Sequence, residues 1–227
     1  MEALEQRILK DGKILPGHII KVDSFLNHQI DTKFLGELAD EFAKHFDITR
    51  ATKILTAEAS GIALAAICSY KFGIPMVFAK KAKSDNIEGG LYMSEIFSYT
   101  YKKKVTLICS KDWITADDKV LIVDDFMANG EAMRGLVHIV EQAGAEIVGI
   151  GCAVEKGFQT GGKTLREAGY PLKSLAIIDQ ADDNGIVFRK QSLHRNVPRK
   201  APSGGVFCPF SKFRLEKSWI SEYNGEL

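Results

Sequence analysis

No stretch of this sequence is long and apolar enough to cross a bilayer. The opening residues, MEALEQRILKDGK, are charged and amphipathic, without an apolar run of signal-peptide length. Charge of one sign is also missing: 30 Lys and Arg face 29 Asp and Glu, a net of +1. That balance gives no reason to expect a nucleic-acid or membrane partner, although it leaves room for a local basic pocket around a small anion. Cysteine is scarce and scattered, at Cys68, Cys109, Cys152 and Cys208, with no C-x-x-C pair. A zinc site needs clustered ligands, so none is expected. Free thiols fit a reducing compartment, and the expected location is the cytoplasm. Repeats and low-complexity tracts are absent. The 227 residues are 45% hydrophobic and 26% charged, which suits one soluble domain with a good core.

Periodicity divides that domain. Apolar residues three and four apart predict helices over 32–46, with Asp31 as N-cap, over 60–72, stopping at Gly73, and over 132–143, stopping at Gly144. Short apolar runs predict buried strands at 53–57, 74–79, 120–123, 147–154 and 172–178. Strands alternating with helices imply an α/β fold, an open and mainly parallel twisted sheet flanked by helices. Two stretches break the rhythm, 96–101 and 105–110, and read as an antiparallel excursion beside a mobile loop at 84–90. Asp182-Asp183-Asn184-Gly185 reads as a hairpin turn before a strand at 186–188. Residues 195–227 carry Pro198, Pro202, Pro209 and Ser203-Gly204-Gly205 without a period, so they are expected to form an extension to a single domain at 1–194.

The chemistry concentrates in VLIVDDFMANGEA, residues 120–132. Four apolar residues lead into Asp124 and Asp125, a short loop follows, and then a helix begins. A helix start offers unpaired backbone N–H groups and the positive end of its dipole, which together suit a phosphate dianion. Gly130 lets the backbone approach closely. The two carboxylates suit hydroxyl groups or a magnesium shell. A ribose 5-phosphate matches both ends at once.

This pattern resembles the signature of the type I phosphoribosyltransferases, which use 5-phosphoribosyl 1-pyrophosphate with magnesium. The family places threonines after the acids. Here Asn129 and Ala132 stand in their place, leaving backbone N–H groups and the Asn129 amide to compensate. EASGI at 58–62 is similar to the family's pyrophosphate loop, in which Ser60 and Gly61 offer N–H groups. IKVDSFLNHQID at 20–31 and Glu155-Lys156-Gly157-Phe158-Gln159 resemble the family's xanthine-using members. The likeness covers about residues 1–193 and does not extend to the tail.

The resemblance implies the family fold, with a core at 32–178 and a small hood from 1–31 plus 179–194. It implies transfer of ribose 5-phosphate to an oxo-purine, xanthine first, in a purine-salvage homodimer with no nucleic-acid or membrane partner. Asp124 and Asp125 would be the catalytic carboxylates, with magnesium near them through water. Ala128, Asn129, Gly130, Glu131, Ala132, Ser60, Gly61 and Lys81 would bind phosphoribosyl pyrophosphate. Lys156, Asn27 and the backbone at Ile20 would bind the base, and Phe126 or Phe158 would stack on it. No general base stands out.

Competing readings exist for these residues. Gly157-Phe-Gln-Thr-Gly-Gly-Lys163-Thr164 matches the letters of a phosphate-binding P-loop, and an apolar run ending in two acids matches its acidic strand. The acidic strand comes first, however, and Gly169 and Pro171 cut the following helix short, so a glycine turn before a short surface helix is the better expectation. An Asp at a strand end can be a mere cap, and Lys156 a solvated lysine. Lys80, Lys81 and Lys83 can be a solvated face. His28, His45, His138 and His194 lack partners in sequence and default to non-catalytic roles. Two functions remain beside xanthine transfer: a hypoxanthine or guanine enzyme with the same phosphate machinery, and a regulator that binds phosphoribosyl pyrophosphate without turnover.

Overall fold

The computed structural model describes residues 1–15, 19–82, 90–98, 103–182 and 185–191. The expected loop at 84–90 (except Gly90), Lys83, residues 99–101 of one expected strand, Asp183 and Asn184 of the hairpin turn, His194, Cys208 and the extension 195–227 lie outside these residues.

An N-terminal helix, α1 (Glu2–Asp11), precedes a small antiparallel pair, β1 (Lys13–Leu15) and β2 (Ile19–Lys21), and a single wide helical turn at Asp23–Asn27. Helix α2 (Thr32–His45) starts where expected, because Asp31 accepts a hydrogen bond from the Phe34 N–H. Then come β3 (Lys53–Ala57), α3 (Gly61–Phe72), β4 (Met76–Ala82), β5 (Leu91–Ser98), β6 (Lys103–Ser110) and β7 (Lys119–Met127). The described chain finishes with α4 (Glu131–Ala143), β8 (Glu146–Lys156), α5 (Gly161–Glu167), β9 (Leu172–Asp182) and β10 (Gly185–Phe188). Gly73 and Gly144 close α3 and α4 in the left-handed conformation.

The main sheet runs β10-β9-β8-β7-β3-β4-β6-β5. Its middle, from β9 to β4, is parallel, while β10, β6 and β5 are antiparallel edges. Side chains alternate across the strands, so both faces need cover. Leu121 and Val123 of β7 join the apolar cluster of Leu64 and Ala65 from α3, Leu35, Leu38 and Phe42 from α2, and Phe25 and Leu26. Burying each such side chain contributes roughly 1.5–3 kcal/mol. Helix α4 packs against β5, β6 and β7. Among the described residues, no helix is long and apolar enough to cross a membrane.

Of the strands, β7, β8 and β9 outrun their expected lengths most. β7 continues past Val123 through both aspartates, β8 through Lys156, and β9 to Asp182. The reason is pairing: Asp124 stands opposite Cys152, Phe126 opposite Val154, and Lys156 opposite Ile178. The aspartates thus lie inside a strand, not beyond its end. β5 also starts earlier than expected, at Leu91, because Tyr92 and Ser94 join Ile96 in burial.

Candidate active site

β3 and β7 are neighbours at the centre of the sheet. The chain leaves β3 for β4 on one side and β7 for β8 on the other. Open α/β sheets bind ligands at such a switch point, outside the carboxyl ends of the strands. The loops that meet there are 58–60, after β3, and 128–130, after β7.

Asp124 and Asp125 are 5% and 3% exposed. Asp125 Oδ1 accepts a hydrogen bond from Ser60 Oγ at 2.9 Å, and Oδ2 accepts one from Asn27 Nδ2 at 3.3 Å. Asp124 Oδ1 accepts from the Asp125 N–H at 3.0 Å. Three distant segments therefore converge on one carboxylate pair: the N-terminal turn, the start of α3 and strand β7. Gly61 makes the approach possible. A Cβ there would lie 2.2 Å from Asp124 Oδ1 and 2.2 Å from Thr56 Oγ1, a buried hydroxyl with no hydrogen-bond partner among the described residues. Burial first, and then the negative charge of Asp125, push the Asp124 carboxyl well above the usual carboxylate range, while the Lys81 ammonium pulls it down. Two like charges in a dry site resist joint ionisation until a cation arrives.

Lys81 is held beside this pair because its main-chain N–H donates to Glu58 Oε1 at 2.6 Å. Of its expected companions, Lys80 lies over the ring of Phe78, 6.0 Å from the centroid.

The second loop presents main-chain donors at the start of α4. Gly130 caps α4 with φ 81° and no side-chain cap, which leaves the first N–H groups of a 13-residue helix available. The Glu131 side chain turns to other partners. Its carboxylate accepts from the Phe97 N–H at 3.1 Å and pairs with Arg134.

Lys156 ends β8 half-buried, and burial pushes its pKa down. Ile20 is 7% exposed and packs in the same apolar cluster as Phe25 and Leu26, so any polar contact it makes comes from its main chain. Phe126 packs against that cluster, whereas Phe158 is 40% exposed. His45 shares a hydrogen bond with Glu41, and His138 with Ser94.

Among the described residues, no three His, Cys, Asp or Glu side chains gather as a metal cage. Magnesium commonly keeps several waters and binds one or two carboxylates plus substrate phosphates. Asp124 and Asp125 fit a magnesium ion delivered with a polyphosphate, not one resident in the protein.

Sequence reading missed what supports the second loop. Gly161 and Gly162, the letters of the false P-loop, are both buried. Gly161 donates its N–H to the Ala128 carbonyl at 3.2 Å. Behind them, Glu155 is 1% exposed and bound by both Arg166 nitrogens. Where a turn before a surface helix is expected, Gly161 and Gly162 instead open α5 itself, buried, a use that the Gly-Gly pair alone does not signal.

The phosphoribosyl transferase domain model matches residues 22–188. Xanthine phosphoribosyltransferase of Ruminiclostridium cellulolyticum is 53% identical over 188 residues, covering 83% of this chain and 99% of that protein. Xanthine phosphoribosyltransferase 1 of Clostridium perfringens is 50% identical over 190 residues, covering 83% of this chain and 100% of that protein. Among solved structures, adenine phosphoribosyl transferase of Trypanosoma brucei, in complex with AMP, pyrophosphate and ribose-5-phosphate, superposes with a TM-score of 0.65. It is 19% identical, with 92% of this chain and 90% of that one covered. Adenine phosphoribosyltransferase of Rhodothermus marinus gives 0.62 at 22% identity, covering 78% and 98%. The two structures share the fold.

Proposed function

The chain belongs to the phosphoribosyltransferase family, and from that premise we propose that it serves purine salvage, transferring ribose 5-phosphate from 5-phosphoribosyl 1-pyrophosphate to xanthine. The products are xanthosine 5'-monophosphate and pyrophosphate. The observation that carries this reading is the convergence of Asn27 and Ser60 on Asp125. On this reading Asn27 belongs to the base side, Ser60 to the pyrophosphate side and Asp125 to the ribose side, and the two hydrogen bonds support it. The names of relatives about half identical over nearly their whole length support xanthine as the base.

In this mechanism the main-chain N–H groups of 128–132 and the Asn129 amide hold the 5'-phosphate. Asp124 and Asp125 face the ribose hydroxyls, directly or through magnesium-bound water. Ser60, Gly61 and Lys81 hold the pyrophosphate, and magnesium, when bound, supplies positive charge to it as it departs. The bond from the anomeric carbon to pyrophosphate breaks, a purine nitrogen bonds to that carbon, and the purine proton passes to water. The carboxylates stabilise the positive charge that develops on the ring. Cationic ring character and magnesium both favour the ionised pair, which burial alone opposes.

Lys156 donates to an exocyclic oxygen of the base. Its ammonium has no carboxylate partner among the described residues, so an oxo-purine supplies an acceptor that adenine lacks. Asn27 and the Ile20 main chain complete the contact. Residues 1–31 and 179–194 form the hood over a core at 32–178, with 179–182 continuing β9 and 185–188 forming β10; the working unit is a cytoplasmic homodimer, its state checked by light scattering.

The test is chromatography of a reaction with phosphoribosyl pyrophosphate, magnesium and xanthine. Equal amounts of xanthosine monophosphate and pyrophosphate are expected. Tight binding of phosphoribosyl pyrophosphate with no nucleotide formed would favour a regulator instead.

A further inference from the structure

We propose that Arg166, whose hydrogen bonds go to Glu155 and Ser174, is a positioning residue that sets the phosphate loop 128–132 through Glu155 and the first turn of α5. This rests on the reading of that loop as the 5'-phosphate site.

Glu155 is one residue short of the end of β8, next to Lys156, and is 1% exposed. Arg166 Nη1 donates to Glu155 Oε1 at 2.8 Å and Nη2 to Oε2 at 2.6 Å. The Ser174 hydroxyl donates to Oε2 as well. A guanidinium fork on a carboxylate fixes orientation as well as distance. It therefore holds α5, which carries Arg166, in one pose against β8, which carries Glu155.

Gly161 and Gly162, in the first turn of α5, lie between this ion pair and the phosphate loop and carry no side chains of their own. A Cβ on Gly162 would lie 2.0 Å from Glu155 Oε1 and 2.7 Å from Arg166 Nη1. A Cβ on Gly161 would lie 2.6 Å from the Ala128 oxygen and 2.6 Å from the Gly130 nitrogen. From the other direction, a Cβ on Gly130 would lie 2.8 Å from Gly161 Cα. The line from Arg166 and Glu155 reaches Gly162 through the ion pair, and from Gly161 to Ala128 and Gly130 it is backbone against backbone. The bidentate pair holds its two side chains in one geometry, so a shift of α5 passes to the loop through main chain. Arg166 acts at a distance from phosphate, by placing the N–H groups that bind it.

The test is calorimetric titration of ribose 5-phosphate, alongside the KM for each substrate, in the wild type, Arg166→Lys, Arg166→Met and the double variant Glu155→Gln with Arg166→Met. The double variant is included because removing one partner strands a buried charge and can compromise folding. Misplacement of about 1 Å costs catalytic sites roughly a hundredfold, so a sub-ångström shift is expected to weaken ribose 5-phosphate binding by about tenfold. The KM for phosphoribosyl pyrophosphate should rise in parallel, while that for xanthine stays within about twofold, since tenfold corresponds to only about 1.4 kcal/mol. Arg166→Lys keeps the charge without the fork and should remain defective. General structural damage would weaken both substrates together and would overturn the proposal, as would unchanged ribose 5-phosphate affinity in the folded double variant. A wild type that fails to bind ribose 5-phosphate would remove the phosphate assignment of the loop itself, a separate result.

Discussion

Asn27 donates its side-chain amide to Asp125 Oδ2 across 3.3 Å, although 98 residues separate the two in sequence. The contact links the segment expected to read the base to the carboxylates expected to face the sugar. Losing a buried hydrogen-bond partner costs about 1–3 kcal/mol, so Asn27→Ala should lower kcat/KM for xanthine by roughly ten- to a hundredfold. Asn27→Asp should be worse, because it sets a third carboxylate against an already crowded pair. Steady-state kinetics of the two variants check this, and wild-type kinetics in Asn27→Asp would contradict it.

Gly61 tolerates no side chain. With two buried oxygens each 2.2 Å from the place of a Cβ, Gly61→Ala must displace Asp124 or Thr56. Overpacking of this kind costs about 1–3 kcal/mol of stability. Thermal unfolding should register that loss, and transfer activity should fall much further than stability, since either shift disturbs the site at Asp124, the carboxylate proposed to face the ribose.

Lys156 should trade stability for specificity. Burial holds its folded pKa below the ordinary 10.5, so the folded state disfavours the charged form. Between the two values the unfolded chain binds more protons, and stability rises with pH. The penalty is therefore complete below the folded pKa and gone above 10.5. Lys156→Met should raise Tm at neutral pH, with a gain that shrinks as the pH climbs toward that limit. The same variant should lose about one to two powers of ten in kcat/KM for xanthine. Melting curves across pH, paired with kinetics, test both halves.

Gly130 sits at φ 81°, where a Cβ costs roughly 1–2 kcal/mol in the left-handed region. It also abuts Gly161 Cα. Gly130→Ala should raise the KM for phosphoribosyl pyrophosphate by about tenfold or more, leaving the KM for xanthine nearly unchanged. Equal effects on the two substrates would argue against the loop as the phosphate site.

The strand at 53–57 and the caps at Asp31, Gly73 and Gly144 are legible in the sequence because they are local: apolar runs, a capping oxygen, a left-handed glycine. The acids at 124 and 125 stand out for a similar reason, as charge at the end of an apolar run. Their place inside β7 is not legible, since pairing with Cys152 and Val154 on β8 extends the strand, and pairing is a property of the fold. The same holds for Gly161 and Gly162. Their use is contact with Ala128, Gly130 and Glu155, which no spacing reveals. The small N-terminal pair β1 and β2 is short, three residues each, and gives no period to detect.

The most direct measurement is kcat/KM for xanthine, guanine, hypoxanthine and adenine with phosphoribosyl pyrophosphate and magnesium. Xanthine should be preferred over each other base by at least about one power of ten, the worth of one unmatched buried hydrogen bond. Preference for another oxo-purine would keep the phosphoribosyl mechanism and the Lys156 contact, which every oxo-purine can accept, and would contradict xanthine as the preferred base. Turnover of none of the four would contradict the proposed function as a whole.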